Sequence, residues 1–219
     1  MYKLIAFDYD GTLADTFDFH VKSIGHILRS CGSRVDDREV GELIGKTLKY
    51  IFDKTLPCEK HALAVETMEK FYGDIPTEYW EYVKLFDGVE KTLSGLKQRG
   101  LKLALVTNSH RKLIEASLCH VKIYSYFDFI EAADEDSYNK EQRIEKVIQR
   151  SKIEKNKILY VGDTSGDVKD AQKSGIKACL VNNKSSWIHR EKTNIFDLRP
   201  DLTISSIKEL LEIIKINGS

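Results

Sequence analysis

Proline is scarce in this chain, with 3 in 219 residues, and glycine is ordinary at 13, which excludes a collagenous, linker-rich or low-complexity protein. Cysteine is sparse too. Cys31, Cys58, Cys119 and Cys179 stand far apart with no CxxC and no paired Cys/His spacing, so neither a zinc site nor a disulfide framework is signalled and reduced thiols are expected. Neither charge sign is in excess: 34 basic side chains meet 34 acidic ones, and no run of five or six like charges occurs. Non-specific capture of nucleic acid or an anionic membrane is therefore not expected, and any anion must be held by a local site. Long apolar runs are absent as well. The longest reach four residues (Leu103–Val106, Ile158–Val161), far short of the roughly 20 that cross a bilayer. The opening Met-Tyr-Lys runs straight into Leu4-Ile5-Ala6-Phe7 without a secretory h-region, and a cytoplasmic location is the expectation.

What is present, 42% hydrophobic and 31% charged residues, is the composition of an ordered globular chain. Short strand-like runs recur at Lys3–Phe7, Leu101–Val106, Phe127–Ile130, Ile158–Val161, Ala178–Val181 and Leu202–Ile204. From Leu101 onward they alternate with helical periodicity, including Ile144, Val147 and Ile148 in a segment opening near Lys140. This rhythm predicts an α/β fold with a doubly wound, Rossmann-like parallel sheet. The stretch after the first strand breaks it. Val21, Ile24, Ile27 and Leu28, then Leu63, Val65, Met68, Phe71 and Tyr72, read as helices, so residues 16–85 are expected to form an all-helical insertion and residues 1–15 with 86–219 the core. The insertion carries ten Lys/Arg and twelve Asp/Glu and is no basic phosphate trap.

In such a sheet ligands bind beyond the carboxyl ends of the strands. The first strand ends in Asp8-Tyr9-Asp10-Gly11-Thr12-Leu13-Ala14-Asp15, the second in Thr107-Asn108-Ser109, and the Ile158 strand in Gly162-Asp163-Thr164-Ser165-Gly166-Asp167. Asp8 and Asp10 lie two apart on extended chain and share a side, with Tyr9 opposite. Two carboxylates that close need a cation, a proton, or both, and Gly11 permits the turn that follows. Asp163 and Asp167, four apart at the start of a helix, present hard oxygen donors suited to Mg²⁺; alternatively they cap that helix, with Asp163 or Ser165 as N-cap. Thr107 and Asn108 read equally as cap and turn. Lys140, after the acidic Asp134-Glu135-Asp136, is either a solvated charge or the cation that a carboxylate-rich phosphate site needs.

With these motifs in this order, and with Ala171 and Gly175 behind the last, the chain resembles the haloacid dehalogenase superfamily, and among its members the phosphoglycolate-phosphatase-like hydrolases with a helical cap inserted after strand one. The resemblance implies an Mg²⁺-dependent phosphatase acting on a small phosphomonoester, a monomer or homodimer with no nucleic-acid or membrane partner. It implies Asp8 as nucleophile and Asp10 as the acid and base. It implies Gly11, Thr107, Asn108 and Lys140 around the phosphate, with Lys140 paired to Asp8. Asp8, the Asp10 carbonyl and Asp163 are implied to hold Mg²⁺, supported by Asp167. Two departures stand out: Lys140 sits in Asn-Lys-Glu instead of the common Lys-Pro form, with Lys146 and Lys152 fitting worse, and Asp87-Gly88-Val89 replaces Pro-Gly-Val at the return from the insertion.

Two other readings stay open. Asp15-Thr16 followed by His20 resembles the cap entry of β-phosphoglucomutase-like mutases, although His20 is more often a hinge or packing residue. A phospho-receiver signalling module shares the acidic pair, Thr and Lys but not the helical insertion or the Asp-Gly-Thr turn. Gly45-Lys46-Thr47-Leu48 matches the family's cap loop too loosely to name a substrate, and Lys46 is read as a surface charge.

Overall fold

The computed structural model describes residues 1–134, 138–191 and 195–214, the Phe196 side chain excepted. Glu135 and Asp136 of the acidic stretch lie outside the described residues. In chain order the elements are β1 (Leu4–Phe7), β2 (Ala14–Asp15), α1 (Phe17–Ser30), α2 (Asp37–Leu43), α3 (Leu48–Thr55), α4 (His61–Gly73) and β3 (Lys84–Leu85). They continue with α5 (Val89–Gln98), β4 (Lys102–His110), α6 (Arg111–His120), β5 (Phe129–Ala133), α7 (Lys140–Ser151), β6 (Ile158–Gly162), α8 (Ser165–Lys173), β7 (Lys177–Val181), α9 (Ile195–Leu198), β8 (Leu202–Ile204) and α10 (Leu210–Ile213).

Among the described residues six strands form one sheet in the order β5-β4-β1-β6-β7-β8, every pairing parallel. From β1 the chain moves outward through β4 and β5, then returns to β6 and moves outward the other way. The reversal falls between β1 and β6, where doubly wound sheets hold their ligands. Both faces of the sheet are covered, which is why its strands read as unbroken apolar runs. Ile5, Phe7 and Tyr9 pack on one side with Leu93, Leu96, Ile114 and Leu118 of α5 and α6. Leu4 and Ala6 pack on the other with Ile144, Val147, Val168 and Ala171 of α7 and α8. Deleting a side chain as enclosed as Phe7, at 0% exposure, typically costs about 3–5 kcal/mol. The two-residue period carries on past β1: Tyr9 reaches α6, where its hydroxyl lies 2.6 Å from Ser117 Oγ, and Asp8 follows the Leu4–Ala6 series toward α7 and α8.

Two strand boundaries differ from the sequence reading. The run expected at Phe127–Ile130 forms β5 later, at Phe129–Ala133, because Tyr124–Tyr126 is a 3₁₀ turn and the Asp128 carboxylate accepts the Leu103 N–H at 2.8 Å. The second strand, expected to stop at Val106, runs to His110. Val106 pairs with Glu131 and His110 with Ala133, so Thr107, Asn108 and Ser109 occupy a bulge within β4 and do not follow it. A bulge bends the strand and re-aims its side chains.

The chain divides into two compact units, Met1–Asp15 with Leu85–Ser219 and Thr16–Lys84. The second unit holds α1 to α4 and a 3₁₀ turn at Thr77–Tyr82 around its own core of Val21, Ile24, Leu28, Val40, Ile51, Phe52 and Ala64. Two of its helices start where the sequence supplies caps: Asp36 and Glu39 form a capping box on α2, and Thr47 caps α3. On α4 the buried face is Ala64, Met68, Phe71 and Tyr72; Leu63 and Val65, part of the same helical pattern, are exposed. His20 is buried and meets Phe19 edge-on, with ring centroids 5.7 Å apart. Lys46 is exposed in the loop between α2 and α3. No helix among the described residues is long and apolar enough to cross a membrane.

Candidate active site

Beyond β1 the chain reverses around one carbonyl. Tyr9 O accepts the N–H groups of Leu13 at 2.9 Å and Ala14 at 3.1 Å, and Gly11 makes the reversal at φ +76°. A Cβ at Gly11 would overlap Asp163 Oδ2 and stand 2.8 Å from Trp187 Cδ1, so glycine here meets a close approach as well as a backbone demand. Asp8 and Asp10 are both buried at this edge.

Lys140 arrives from α7. Asn139 and Gln142 form a capping box, each side chain accepting the other's backbone N–H at 2.9 Å, so Asn supplies the helix start in place of the common Lys-Pro form. Lys140 is the first helical residue and shares the buried face with Arg143, Ile144, Val147 and Ile148. Its Nζ donates to Asp167 Oδ1 at 2.6 Å and lies 3.1 Å from Asp8 Oδ1. The other two lysines are elsewhere: Lys146 Nζ sits 3.8 Å above the Tyr138 ring, and Lys152 is exposed at the end of α7.

At the end of β6 the N-cap of α8 is Thr164, neither Asp163 nor Ser165. Thr164 Oγ1 accepts the Asp167 N–H at 3.1 Å, and Asp167 Oδ2 accepts the Thr164 N–H at 3.0 Å. The capping and functional readings of Asp167 thus describe different oxygens of one carboxylate. Oδ2 closes the capping box, while Oδ1 faces Lys140 Nζ and the Tyr160 hydroxyl, 3.2 Å away. Asp163 is held separately. Its Oδ1 accepts from Thr12 Oγ1 at 2.9 Å and its Oδ2 from the Trp187 backbone N–H at 2.6 Å.

The bulge in β4 completes the edge. Thr107 is buried, and its Oγ1 accepts the Ser109 N–H at 3.1 Å. Ser109 Oγ donates to Asp10 Oδ2 at 2.5 Å. Asn108 Oδ1 accepts from Arg143 Nη1 at 3.2 Å, and Arg143 Nε donates to Ala132 O at 3.0 Å. Sequence reasoning missed Arg143, Thr12, Tyr160 and Trp187. Arg143 was findable, since it follows Lys140 by three on a helix and shares its face. Tyr160 was hidden inside an apolar strand.

Electrostatics follow from burial of so many charges together. Burial, then the neighbouring Asp167 and Asp10 charges, raise the Asp8 carboxyl to about 7 against the pull of Lys140. Burial and the charges of Asp167 and Asp8 hold Asp163 well above the usual carboxylate range. At Asp167 burial acts the same way, but Lys140 and Thr164 outweigh it and the carboxyl is lowered. Burial disfavours the Lys140 ammonium, yet Asp167 and Asp8 raise it above the ordinary lysine range.

Among the described residues Lys140 is the cation that contacts this cluster, and three buried carboxylates cannot all ionise on one ammonium, so full ionisation calls for a further cation. Asp8, Asp163 and Asp167 each offer an oxygen within 4.8 Å of the others. Asp8 Oδ1, although close to Lys140, has no aligned hydrogen bond. An all-oxygen set without His or Cys fits a hard divalent cation such as Mg²⁺. The Asp10 carboxylate is not in this group, and its Oδ2 accepts from Ser109 Oγ.

The chain is similar to known proteins over nearly its whole length. The pyrophosphatase PpaX of Bacillus mycoides is 29% identical over 219 residues, covering 98% of each chain. A haloacid dehalogenase-like family protein from Streptococcus pneumoniae superposes with a TM-score of 0.80 at 20% identity, covering 98% of this chain and 99% of that one. A predicted phosphoglycolate phosphatase from Haemophilus somnus gives 0.79 at 21% identity, covering 98% of each. These two share the fold. The family model for haloacid dehalogenase-like hydrolases matches residues 5–181, a span that opens in β1 and closes at the end of β7, and to that family of enzymes the chain belongs.

Proposed function

We propose that the protein is an Mg²⁺-dependent phosphatase of small phosphomonoesters that works through an aspartyl phosphate on Asp8. The observation that carries this reading is the shared cation: Lys140 lies between Asp8 and Asp167, whose carboxylates cluster with that of Asp163 at the β1/β6 reversal. In the first step an Asp8 oxygen attacks phosphorus, the ester P–O bond breaks, and Asp10 gives its proton to the leaving oxygen. In the second, Asp10 takes a proton from water, that water's oxygen attacks phosphorus, and the P–O bond to Asp8 breaks to release inorganic phosphate. Lys140 balances charge on Asp8 and the phosphoryl oxygens, while Thr107, Asn108 and the Gly11 backbone bind phosphate oxygens. Asp8, Asp163, the Asp10 carbonyl and, in support, Asp167 would hold Mg²⁺, which supplies positive charge to the phosphoryl group. Such charge stabilisation is the main catalytic term for a phosphate ester, whose uncatalysed hydrolysis is among the slowest known.

The helical insertion, residues 16–85, is proposed to act as the family's cap and to select the substrate. Phosphoglycolate-like monoesters are the first reading. Inorganic pyrophosphate is the second, favoured by the Bacillus mycoides relative. Free cysteines and balanced charge suit a cytoplasmic enzyme, monomer or homodimer. The test is phosphate release with Mg²⁺ over a panel of phosphoglycolate, uncharged-tail monoesters, β-glucose 1-phosphate and pyrophosphate. Steady release from a monoester supports the proposal, release from pyrophosphate alone selects the second reading, isomerisation without release selects a mutase, and one phosphate retained per chain selects a receiver.

A further inference from the structure

The segment after β7 does more than lead to the last strand. It turns back on itself: Ser186 Oγ accepts the Asn183 N–H at 3.0 Å and donates to Val181 O at 2.9 Å, and Asn183 Oδ1 accepts the Ser185 N–H at 2.8 Å. This closed loop delivers Trp187 and Ile188 to Asp163. Trp187 N–H donates to Asp163 Oδ2 at 2.6 Å, and Ile188 N–H to the Asp163 carbonyl at 3.1 Å. Beyond them the Glu191 carboxylate accepts the Ser165 N–H at 3.3 Å, fastening the same loop to the start of α8.

Asp163 is 0% exposed and is gripped from two places remote in sequence: Thr12 takes Oδ1 and Trp187 takes Oδ2. Each carboxylate oxygen accepts about two hydrogen bonds, so one acceptor direction stays available on each. A carboxylate fixed at both oxygens has lost its rotational freedom before any cation arrives. Groups that orient a metal ligand in this way typically govern metal affinity by about 10–100-fold. The Trp187 indole meanwhile lies against Gly11, so one residue bridges the turn after β1 and the carboxylate after β6.

We infer that Trp187 is a positioning residue whose backbone N–H, held by the Asn183–Ser186 loop, sets the orientation of Asp163 and with it the protein's affinity for Mg²⁺. This rests on the metal reading given above.

The backbone donor separates from the indole by a pair of variants. Trp187→Ala keeps the N–H and removes the ring. Trp187→Pro removes both, in a compatible setting: Ser186 has the extended conformation, φ −64° and ψ 134°, that precedes proline, and Trp187 opens a helical turn, where proline's fixed φ fits. Mg²⁺ affinity is read by titration calorimetry, and the melting temperature in EDTA reports the fold. The expected result is about 10–100-fold weaker Mg²⁺ binding for Trp187→Pro than for Trp187→Ala at matched metal-free stability. Equal affinities in the two variants overturn the inference. If Trp187→Pro does not fold, Ser186→Ala, which loosens the loop without touching Asp163, decides it: weakened binding supports the clamp, and wild-type affinity overturns it. No Mg²⁺ binding by the wild-type protein overturns the metal reading and the clamp with it, whereas binding without phosphatase activity overturns only the proposed reaction.

Discussion

Lys140 is bound more closely to Asp167 than to Asp8, its Nζ standing 2.6 Å from Asp167 Oδ1 and 3.1 Å from Asp8 Oδ1. The aspartate proposed as nucleophile is thus the less tightly held of the two, while Asp167 anchors the ammonium through an oxygen that its capping box does not use. Removing one partner of a buried ion pair typically costs about 3–5 kcal/mol. Lys140→Met is therefore expected to destabilise the metal-free protein by about that amount above neutral pH. The penalty shrinks near about pH 5, where the raised Asp8 carboxyl is already protonated. Urea unfolding at both pH values checks it.

Asp8→Asn is expected to abolish turnover and yet stabilise the metal-free protein at high pH. The sign follows from linkage. A carboxyl raised to about 7 by burial and by its acidic neighbours imposes no penalty below the ordinary carboxylate range, a growing one as pH rises, and its full penalty above about 7. Asparagine removes that penalty. Melting temperatures of the two proteins in EDTA should converge near pH 4, within about a unit of the free carboxyl value, and diverge in the variant's favour above pH 7. A variant less stable than wild type at high pH would contradict the charge account of the site.

Asp10→Asn separates acid catalysis from nucleophilic attack. General acid or base catalysis typically contributes about 10²–10⁴-fold, and an alkoxide leaving group needs the proton more than p-nitrophenolate does. The kcat loss should therefore be larger for an alkyl phosphate than for p-nitrophenyl phosphate. Ser109→Ala, which removes the 2.5 Å hydrogen bond that orients Asp10, is expected to show the same leaving-group bias with a smaller loss.

Mg²⁺ should stabilise as well as activate. Chelation is expected to stop turnover and added Mg²⁺ to restore it, and a cation at about 100 times its dissociation constant adds about 2.7 kcal/mol to stability. Gly11→Ala is expected to lose most of this stabilisation, because its methyl group would enter the space of Asp163 Oδ2 at a backbone angle, φ +76°, that alanine resists. Thermal melts with and without Mg²⁺ measure both.

The sequence made the sheet legible because β1 and β6 are buried on both faces and show as unbroken apolar runs. Asp8, Asp10 and Asp163 were equally visible, standing where those runs stop. The limits of β4 were not, since Thr107, Asn108 and Ser109 resemble a strand end and only the pairing with β5 shows them to be a bulge inside it. Lys140 was chosen over Lys146 by its place at the start of the helix, and only the structure adds which side chain of α7 meets Asp167. Trp187 was beyond reach for a different reason. It acts through its backbone N–H, which every residue but proline carries, so the side chain gave no signal.

The place of β1 in the middle of the sheet has a consequence for synthesis on the ribosome. β1 is made first, yet its neighbours β4 and β6 begin only at Lys102 and Ile158, after the whole of Thr16–Lys84 has emerged. During synthesis β1 therefore precedes its first partner by about 100 residues and its second by about 150. Proximity of Asp8 to Lys140 and Asp163 needs α7 and β6, which lie beyond the middle of the chain. A chain released early has no active centre, and recovery of phosphate hydrolysis after dilution from denaturant should track the slowest folding phase instead of the formation of helices.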